Sequence, residues 1–381
     1  MKRILLASTA AVALAGAAHA DGHTGISFGG DAELGWNGAV DNGVFWSLGL
    51  SVSGSAELDN GLTATISGDV EFVSDADQAT PVANSTFDGN DIEIDDLVIG
   101  LASDTASLKF GDTAPAADAI YKSPVTNVDG DGFNDEGDAG AALDEDGVLI
   151  GRATFGETEV GMSYWVFATN DAPGNDDLKG LQIGASTTVG SANLVFGYQE
   201  AADFDGDGTD DISQIVALGA STTLGGAEVG FAYASTDGGT DSIGVQAAYS
   251  FGDVTATVFY VSQDPVDDNY GIAVDYASGP VTVGFYYHDG NDEETAINVT
   301  YDVGNGLTLF GGWLDEGEDS AGDSGSSYFY VGGDYDLGGG ASLRVSYADV
   351  SEGDVNGLTN DELGAAEDVK EGTTVAVSFA F

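Results

Sequence analysis

The sequence predicts an all-β fold, a transmembrane antiparallel β-barrel closed within a lipid bilayer. Three observations predict it: short segments that alternate apolar with polar or small residues, tight glycine-rich turns between them, and a carboxy-terminal segment that ends on an aromatic residue. Only helices and closed barrels satisfy every backbone N–H and C=O group inside a bilayer. After residue 20 there is no apolar stretch of about 18 residues, so a mature chain that spans a membrane must use strands.

The amino-terminal 20 residues are predicted to be a cleaved export signal. Lys2 and Arg3 precede an apolar run, and small residues typical of a cleavage site end at Ala20. An uncleaved membrane anchor is the alternative, but the run is short and a polar stretch follows it. We therefore expect a mature chain of residues 21–381 that forms a single barrel domain.

The charge balance is strongly acidic, with 65 acidic residues against eight basic ones. Two of the basic residues, Lys2 and Arg3, would be lost with the signal. This balance excludes nucleic acid as a partner, and in a pore it would favour cations over anions. Excess carboxylates that keep a protein soluble at high salt are a second explanation, and both can apply together. The absence of cysteine excludes thiol catalysis and cysteine-ligated metals.

The carboxy-terminal segment has the pattern of a closing barrel strand. Val375, Val377, Phe379 and Phe381 share one face and alternate with small residues. The large side chains could meet lipid while the small ones face a lumen.

Nine short turns divide the rest of the mature chain into hairpins. With a first strand near 24–38 and a last near 372–381, they predict twenty strands, and a barrel of that size leaves an aqueous channel. The predicted turns are at 59–61, 103–105, 155–157, 189–191, 224–226, 251–253, 278–280, 303–306 and 337–340.

The alternation within strands also fits a soluble β-sandwich, which the export signal and the terminal Phe381 disfavour.

Acidic loops should join these hairpins at the opposite end of the barrel. The predicted acidic loops are 75–90, 170–177, 202–211, 264–269, 289–294, 315–326 and 350–371.

One further connection is much longer than a hairpin requires. About thirty residues, Ala114–Asp146, separate the predicted strands 106–113 and 147–156. A loop of this length is uncommon in a compact fold unless it has a function. An insertion here could fold into the lumen and narrow it.

The order of several short motifs resembles the Gram-negative general porins and is most similar to the trimeric porins of Rhodobacter and related alphaproteobacteria. The likeness extends over essentially the whole mature chain. It implies a barrel of sixteen strands, a homotrimer, and a third loop folded inward as a constriction. The motifs are Asp31-Ala-Glu-Leu-Gly35, Leu97-Val-Ile-Gly-Leu101, Leu108-Lys-Phe-Gly-Asp112, Tyr335-Asp-Leu-Gly-Gly-Gly-Ala341 and the Phe-Ala-Phe381 ending.

By this resemblance the constriction loop is 113–146, and acidic residues on it would face basic residues on the barrel wall. The candidate loop acids are Asp118, Asp129, Asp131, Asp135, Glu136 and Asp138. Wall positions that tend to be basic in the family are here Glu33, Asp69 and Glu71. The basic residues expected on the lumen side are Lys109, Arg152 and Arg344. In the family, opposite charges on the loop and the wall would produce an electric field across the pore. Acidic residues on both sides predict instead a constriction with a uniformly negative potential.

The same loop contains oxygen side chains at the spacing used by calcium loops. Positions 1, 3, 5, 9 and 12 of a twelve-residue segment carry them, glycine occupies position 6, and position 7 would contribute a carbonyl. The candidate ligands are Asn127, Asp129, Asp131, Phe133, Asp135 and Asp138. A weaker second segment offers Asp203, Asp205, Asp207, Thr209 and Asp211. The alternative for both is a solvated acidic loop, whereas bound Ca²⁺ would offset the like charges and fix the loop's shape.

Together these features predict an outer-membrane porin that is surrounded by outer-membrane lipid. Ions and small hydrophilic solutes would diffuse through it passively, and cations would pass in preference to anions. Two alternatives stay open. A substrate-selective channel would need an aromatic or basic track, for which Tyr286 and Phe310 are scattered candidates. A calcium-binding surface β-protein without a pore would need more copies of the Gly-Asp loop. An enzyme is not predicted, because His23 and His288 lack the partner patterns of hydrolases.

Overall fold

The computed structural model describes residues 24–39, 43–73, 92–134, 147–166, 178–203, 208–290, 292–319, 327–350 and 371–381, with single residues 325 and 369. The predicted export signal lies outside these residues. No helix in them is long and apolar enough to cross a membrane.

The described residues form twenty strands and one short helix, α1 Ala116–Ile120. The strands are β1 Thr24–Asn37, β2 Val44–Glu57, β3 Thr63–Val73, β4 Ile92–Ala102, β5 Ala106–Gly111, β6 Val148–Phe155, β7 Thr158–Trp165, β8 Lys179–Val189, β9 Ala192–Gln199, β10 Ile215–Leu224, β11 Ala227–Thr236, β12 Asp241–Phe251, β13 Val254–Asp264, β14 Asn269–Ser278, β15 Val281–Asp289, β16 Asp292–Gly304, β17 Leu307–Asp319, β18 Ser327–Gly338, β19 Ala341–Val350 and β20 Gly372–Ala380.

The sheet is a closed antiparallel barrel. Each strand pairs with the next, and β20 pairs with β1 through the register Gly35↔Ala376. The last residue completes the seam, because Phe381 and Gly30 exchange backbone hydrogen bonds of 2.8 Å in both directions. Closure leaves no unpaired sheet edge, which a bilayer does not tolerate. The predicted all-β barrel is confirmed.

The strand number agrees with the hairpin count and not with the resemblance. All nine predicted turns join consecutive strands, and the predicted first and last strands form β1 and β20. Sixteen strands, the number that the family resemblance implied, is therefore wrong for this chain. The local turn chemistry supports the hairpin count: between β16 and β17, for example, Asn305 and Gly306 have φ of 56° and 83°. Positive φ at both central residues is what a two-residue hairpin turn requires.

Two strands extend further than the sequence predicted. Residues 292–294 of the expected loop 289–294 lie within β16 and residues 315–319 of the expected loop 315–326 lie within β17, and the two strands pair as far as Glu294↔Glu316 and Asp292↔Asp319. In these segments the strand continues through polar residues, with side chains still alternating between the inward and outward faces. The sequence-based prediction took polar residues as loop and therefore ended both strands too early.

The two faces of the barrel differ in chemistry. Along β16 the outward Ile297 and Val299 are 46% and 44% exposed, whereas the inward Ala296 is buried. The closing strand behaves in the same way, with Phe379 exposed outward and Ala376 buried inward. A continuous exposed apolar surface of this kind suits lipid.

The packed core lies inside the barrel. The connection between β5 and β6, here called the inner loop, is described over residues 112–134 and includes α1. Its apolar residues pack against inward side chains of the wall, so the loop fills one side of the interior. The buried loop members are Ala117, Tyr121, Val125, Val128 and Phe133, and their wall partners include Ile215, Ala217, Ala232, Ala234, Phe259, Val261, Ala273, Tyr286, Ala296 and Leu314.

Candidate functional site in the barrel interior

A row of glycines lies beneath the inner loop. Six successive strands, β7 to β12, each place one glycine against it: Gly161, Gly184, Gly197, Gly219, Gly230 and Gly244. A Cβ atom added at Gly161 would lie 2.6 Å from Ile120 Cδ1, and one at Gly219 would lie 2.6 Å from Pro124 Cδ. The missing side chains therefore create the space in which the loop lies flat on the wall.

Polar wall side chains hold the loop over this row. Gln246 on β12 accepts from both the N–H and the hydroxyl of Thr126, at 3.0 and 2.8 Å. Farther round the wall, the Asn127 side chain donates to the Tyr286 hydroxyl at 3.1 Å. The described part of the loop consequently follows the inner wall from β7 to β15, and the wall of β20 and β1 to β5 opposite it is here called the open side with respect to the described residues.

The open side, formed by β20 and β1 to β5, carries carboxylates among small hydroxyl-bearing residues. Asp31 and Glu33 occupy inward positions of β1, and Asp69 occupies one of β3. Glu33 accepts a hydrogen bond from the Ser378 hydroxyl at 2.9 Å. Glu71 lies in β3 as well, but its side chain is outside the described part of the chain.

Two of the three predicted basic wall residues are paired with carboxylates. Arg344 donates two hydrogen bonds of 2.8 Å to Asp334 and lies 5.4 Å above the Phe310 ring. Arg152 lies 3.7 Å from Glu159. Each guanidinium charge is thus offset locally, even though both pairs are partly exposed and each stabilises the fold only weakly. Lys109 lies exposed on the inward face of β5.

The predicted acidic residues of the inner loop divide into two groups. Asp118 lies in α1, where its backbone N–H donates to the wall residue Gln182 at 3.2 Å. Asp129 and Asp131 are partly buried farther along the loop. The remaining three, Asp135, Glu136 and Asp138, are outside the described residues.

Asp131 has a perturbed proton affinity. The pKa of its carboxyl is raised to about 6, because burial and, to a smaller extent, the charge of Asp129 outweigh the opposing effect of the Ser123 and Tyr121 hydroxyls. Burial likewise raises the pKa of the Tyr121 hydroxyl. The docked loop therefore favours a neutral carboxyl at position 131.

This shift predicts that docking of the inner loop weakens as the pH rises. A carboxyl whose folded-state pKa is raised contributes stability that is complete below its ordinary pKa of 3.8 and lost as the pH rises through about 6. We expect Asp131→Asn to remove this dependence and to raise the melting temperature at pH 7.5 but not at pH 4. Melting curves of both proteins across this range measure it. Parallel pH profiles would contradict the assignment.

The calcium ligands predicted in the inner loop are only partly described. Asn127 uses its side chain toward the wall and its carbonyl accepts from Asn269 at 3.5 Å. The Phe133 ring is buried in an edge contact with Tyr121, with centroids 5.5 Å apart. Among the described residues, no three His, Cys, Asp or Glu side chains are grouped so as to hold a metal ion. Asp135 and Asp138 lie outside that part of the chain, so calcium at this loop stays a prediction.

The second calcium segment is described only at its ends. Asp203 accepts from the Gly208 N–H at 2.8 Å, and its carbonyl accepts from Lys179 Nζ at 2.9 Å. Thr209 and Asp211 are exposed. Asp205 and Asp207 are outside the described residues, so this prediction too stays open.

The aromatic residues suggested for a substrate track do not present their rings to the open lumen. Tyr286 is 8% exposed and Phe310 is 4% exposed. The first packs against the inner loop, and the second lies under Arg344 and beside Tyr330 and Val369.

Several residues of the interior were not found from the sequence. Acid side chains at inward positions include Asp31, Glu159 and Asp334, and the wall amides that bind the loop are Gln182, Gln199 and Gln246. One usable signal existed: a glycine at an inward position in each of six consecutive strands marks the track of the loop.

A closed barrel with a polar interior, an apolar exterior and an inward-folded loop defines a membrane channel. The Gram-negative porin family model matches residues 7–240 and 210–355, and the chain belongs to this family of outer-membrane porin channels.

No curated protein matches the chain significantly. Among solved structures, two substituted forms of the Rh. blastica porin, one with five replacements and one with three, are each 14% identical to the chain. Each match covers 94% of this chain and 100% of that chain, with a TM-score of 0.47. A triple-substituted porin named from Rhodopseudomonas blastica is 15% identical over the same shares, with a TM-score of 0.41.

Proposed function

We propose that this porin conducts cations in preference to anions and lets small hydrophilic solutes diffuse passively. The observation that carries the proposal is the asymmetry of the open wall. Asp31, Glu33 and Asp69 face the lumen there. The same wall carries one inward basic residue, Lys109, and the guanidinium groups of Arg152 and Arg344 are each paired with a carboxylate. A channel lined by unbalanced carboxylates raises the local concentration of cations.

The inner loop, residues 113–146, is proposed to form the constriction. Its described part occupies the side of the barrel between β7 and β15, so solutes must pass between the loop and the wall of β20 and β1 to β5. The size limit would then depend on the docked position of the loop, and the charge selectivity on the wall opposite.

Purified protein in planar bilayers tests both parts. We expect steady single-channel conductance that scales with salt, and a reversal potential in a KCl gradient with the sign of cation preference. Absence of conductance would reject the channel itself. An anion-preferring reversal potential would reject the charge argument and leave the channel intact.

We also propose a homotrimer whose protomers meet through β20 and β1 to β6. These seven strands contain no tyrosine, whereas outward tyrosines recur on strands from β7 to β19, for example Tyr164, Tyr260 and Tyr347. Tyrosine and tryptophan are enriched where a barrel meets the membrane–water interface. The seven strands carry outward Trp36 and Trp46 but no tyrosine, and this lower density of interfacial aromatics suits contact with another protomer in place of lipid.

Single cysteines test this arrangement, because the chain contains none of its own. Val52 on β2 and Val258 on β13 are both outward and 41% and 51% exposed. We expect Val52→Cys, but not Val258→Cys, to give cross-linked protomers with a short bifunctional maleimide in native membranes. Equal cross-linking at both positions would contradict the proposed interface.

Calcium is proposed as a structural ligand of segment 127–138. Its support is the spacing of oxygen side chains together with the unfavourable proximity of Asp129 and Asp131, which a bound cation would relieve. We expect millimolar Ca²⁺ to raise the melting temperature and a chelator to lower it, with Asp129→Asn reducing both effects. The same response to Mg²⁺ and to monovalent salt at equal ionic strength would indicate charge screening only.

A further inference from the structure

Two glutamines on the barrel wall join the two ends of the described inner loop. Gln182 on β8 and Gln199 on β9 are both fully buried. They lie on adjacent strands, and Gln182 Nε2 donates to Gln199 Oε1 at 2.7 Å. The pair is thus one polar unit, fully buried between the loop and the wall.

Gln182 holds the beginning of the loop. Its Oε1 accepts from the N–H groups of Ala117 and Asp118 at 2.9 and 3.2 Å. These are among the first N–H groups of α1, which have no partner within the helix, and Pro115 before the helix provides no side-chain cap. The wall amide therefore supplies the cap that the local sequence lacks.

Gln199 holds the far end of the described loop. Its Oε1 accepts from the Asn134 N–H at 3.1 Å, and its Nε2 donates to Asn134 Oδ1 at 2.6 Å and to the Ser213 carbonyl at 2.9 Å. Gln182 Nε2 reaches the same residue by donating to the Asn134 carbonyl at 2.8 Å. Residues 117 and 134, seventeen positions apart, are therefore bound to one pair of side chains.

Every donor and acceptor of both amides is used. Each carbonyl oxygen accepts two hydrogen bonds and each NH₂ group donates two, which is the full capacity of a glutamine side chain. A fully satisfied buried network specifies one arrangement, because any displacement of the loop would leave buried amides without partners.

We infer that Gln182 and Gln199 are positioning residues that fix the inner loop at one distance from the opposite wall, and so determine the width of the pore. This inference rests on the proposed role of the loop as the constriction. The glycine row permits close contact along the wall, but it does not select a register along it. The directional bonds to the two amides supply that selection.

The test uses the double variant Gln182→Met plus Gln199→Met, which conserves side-chain volume and removes the hydrogen bonds. Amide hydrogen exchange in segment 116–134 should accelerate by roughly tenfold or more, the equivalent of one lost hydrogen bond. Single-channel conductance and its noise should rise, and larger sugars should pass. The matched control is Gln263→Met, since Gln263 is also a buried wall amide but bonds to Ser242 on the wall.

The outcomes separate the inference from the proposed function. If the unmodified protein does not conduct, the porin proposal fails. If it conducts and the double variant lowers only the melting temperature, with loop exchange and conductance unchanged, the two glutamines have a structural role only and the inference is overturned. Should the double variant fail to fold, Asn134→Ala removes one acceptor from the loop side and leaves the wall intact; unchanged exchange in that variant also overturns the inference.

Discussion

The variant Gly184→Ala plus Gly230→Ala is expected to displace the inner loop from the wall and to raise the conductance of the channel. A Cβ atom at either position collides with a backbone carbonyl oxygen of the loop, that of Ala116 or that of Pro124. Backbone atoms cannot move aside as a flexible side chain does. At about 1–3 kcal/mol for each overpacked site, docking should weaken by roughly 5–150-fold per substitution.

The barrel itself should tolerate both changes. Neither glycine has positive φ, so alanine fits the strand, and replacing glycine by alanine at a compatible site stabilises a protein by about 0.4–1 kcal/mol through the unfolded chain. Gly151→Ala is the control, because the nearest atom to its added Cβ is 4.0 Å away on Leu108. Conductance and the largest permeant sugar, measured in liposome swelling, should increase only in the double variant. An unchanged size limit in the folded double variant would mean that the loop does not form the constriction.

The barrel architecture could be predicted from the sequence because its signals are local. Asn305-Gly306 and Gly225-Gly226 have the positive φ of tight hairpin turns, and each can be recognised without knowing what surrounds it. The period of two then assigns each strand residue to a face. Counting turns predicted twenty strands correctly, whereas the sixteen strands implied by the family resemblance are wrong for this chain.

The interior could be predicted less well, because its contacts join distant residues. Nothing near Gln182 in the sequence indicates that it caps a helix at Ala117 or binds Asn134. Lumen-facing basic residues were found by alternation, but their partners Asp334 and Glu159 depend on which inward positions are neighbours across strands. Composition supplied many acidic candidates and no means of choosing among them.

Neutralising the open wall should reduce cation preference more than an equal change of charge outside the lumen. The variant Asp31→Asn, Glu33→Gln, Asp69→Asn removes three carboxylates from inward positions of β1 and β3. A unit charge about 4 Å from a passing ion contributes about 1 kcal/mol in water. Three such groups at larger and unequal distances should together change the ratio of cation to anion permeability by about tenfold in 0.1 M salt.

The matched control removes the same charge elsewhere, with Asp349→Asn on the outward face of β19 and Asp104→Asn and Glu157→Gln in the short turns, all exposed. If the local field of the wall selects cations, reversal potentials should shift in the wall variant and hardly at all in the control. The shift should also shrink in 1 M salt, where the Debye length is about 3 Å. Equal shifts of the reversal potential in both variants would instead show that selectivity depends on the net charge of the whole protein. The positions of the carboxylates inside the pore would then not matter for selectivity.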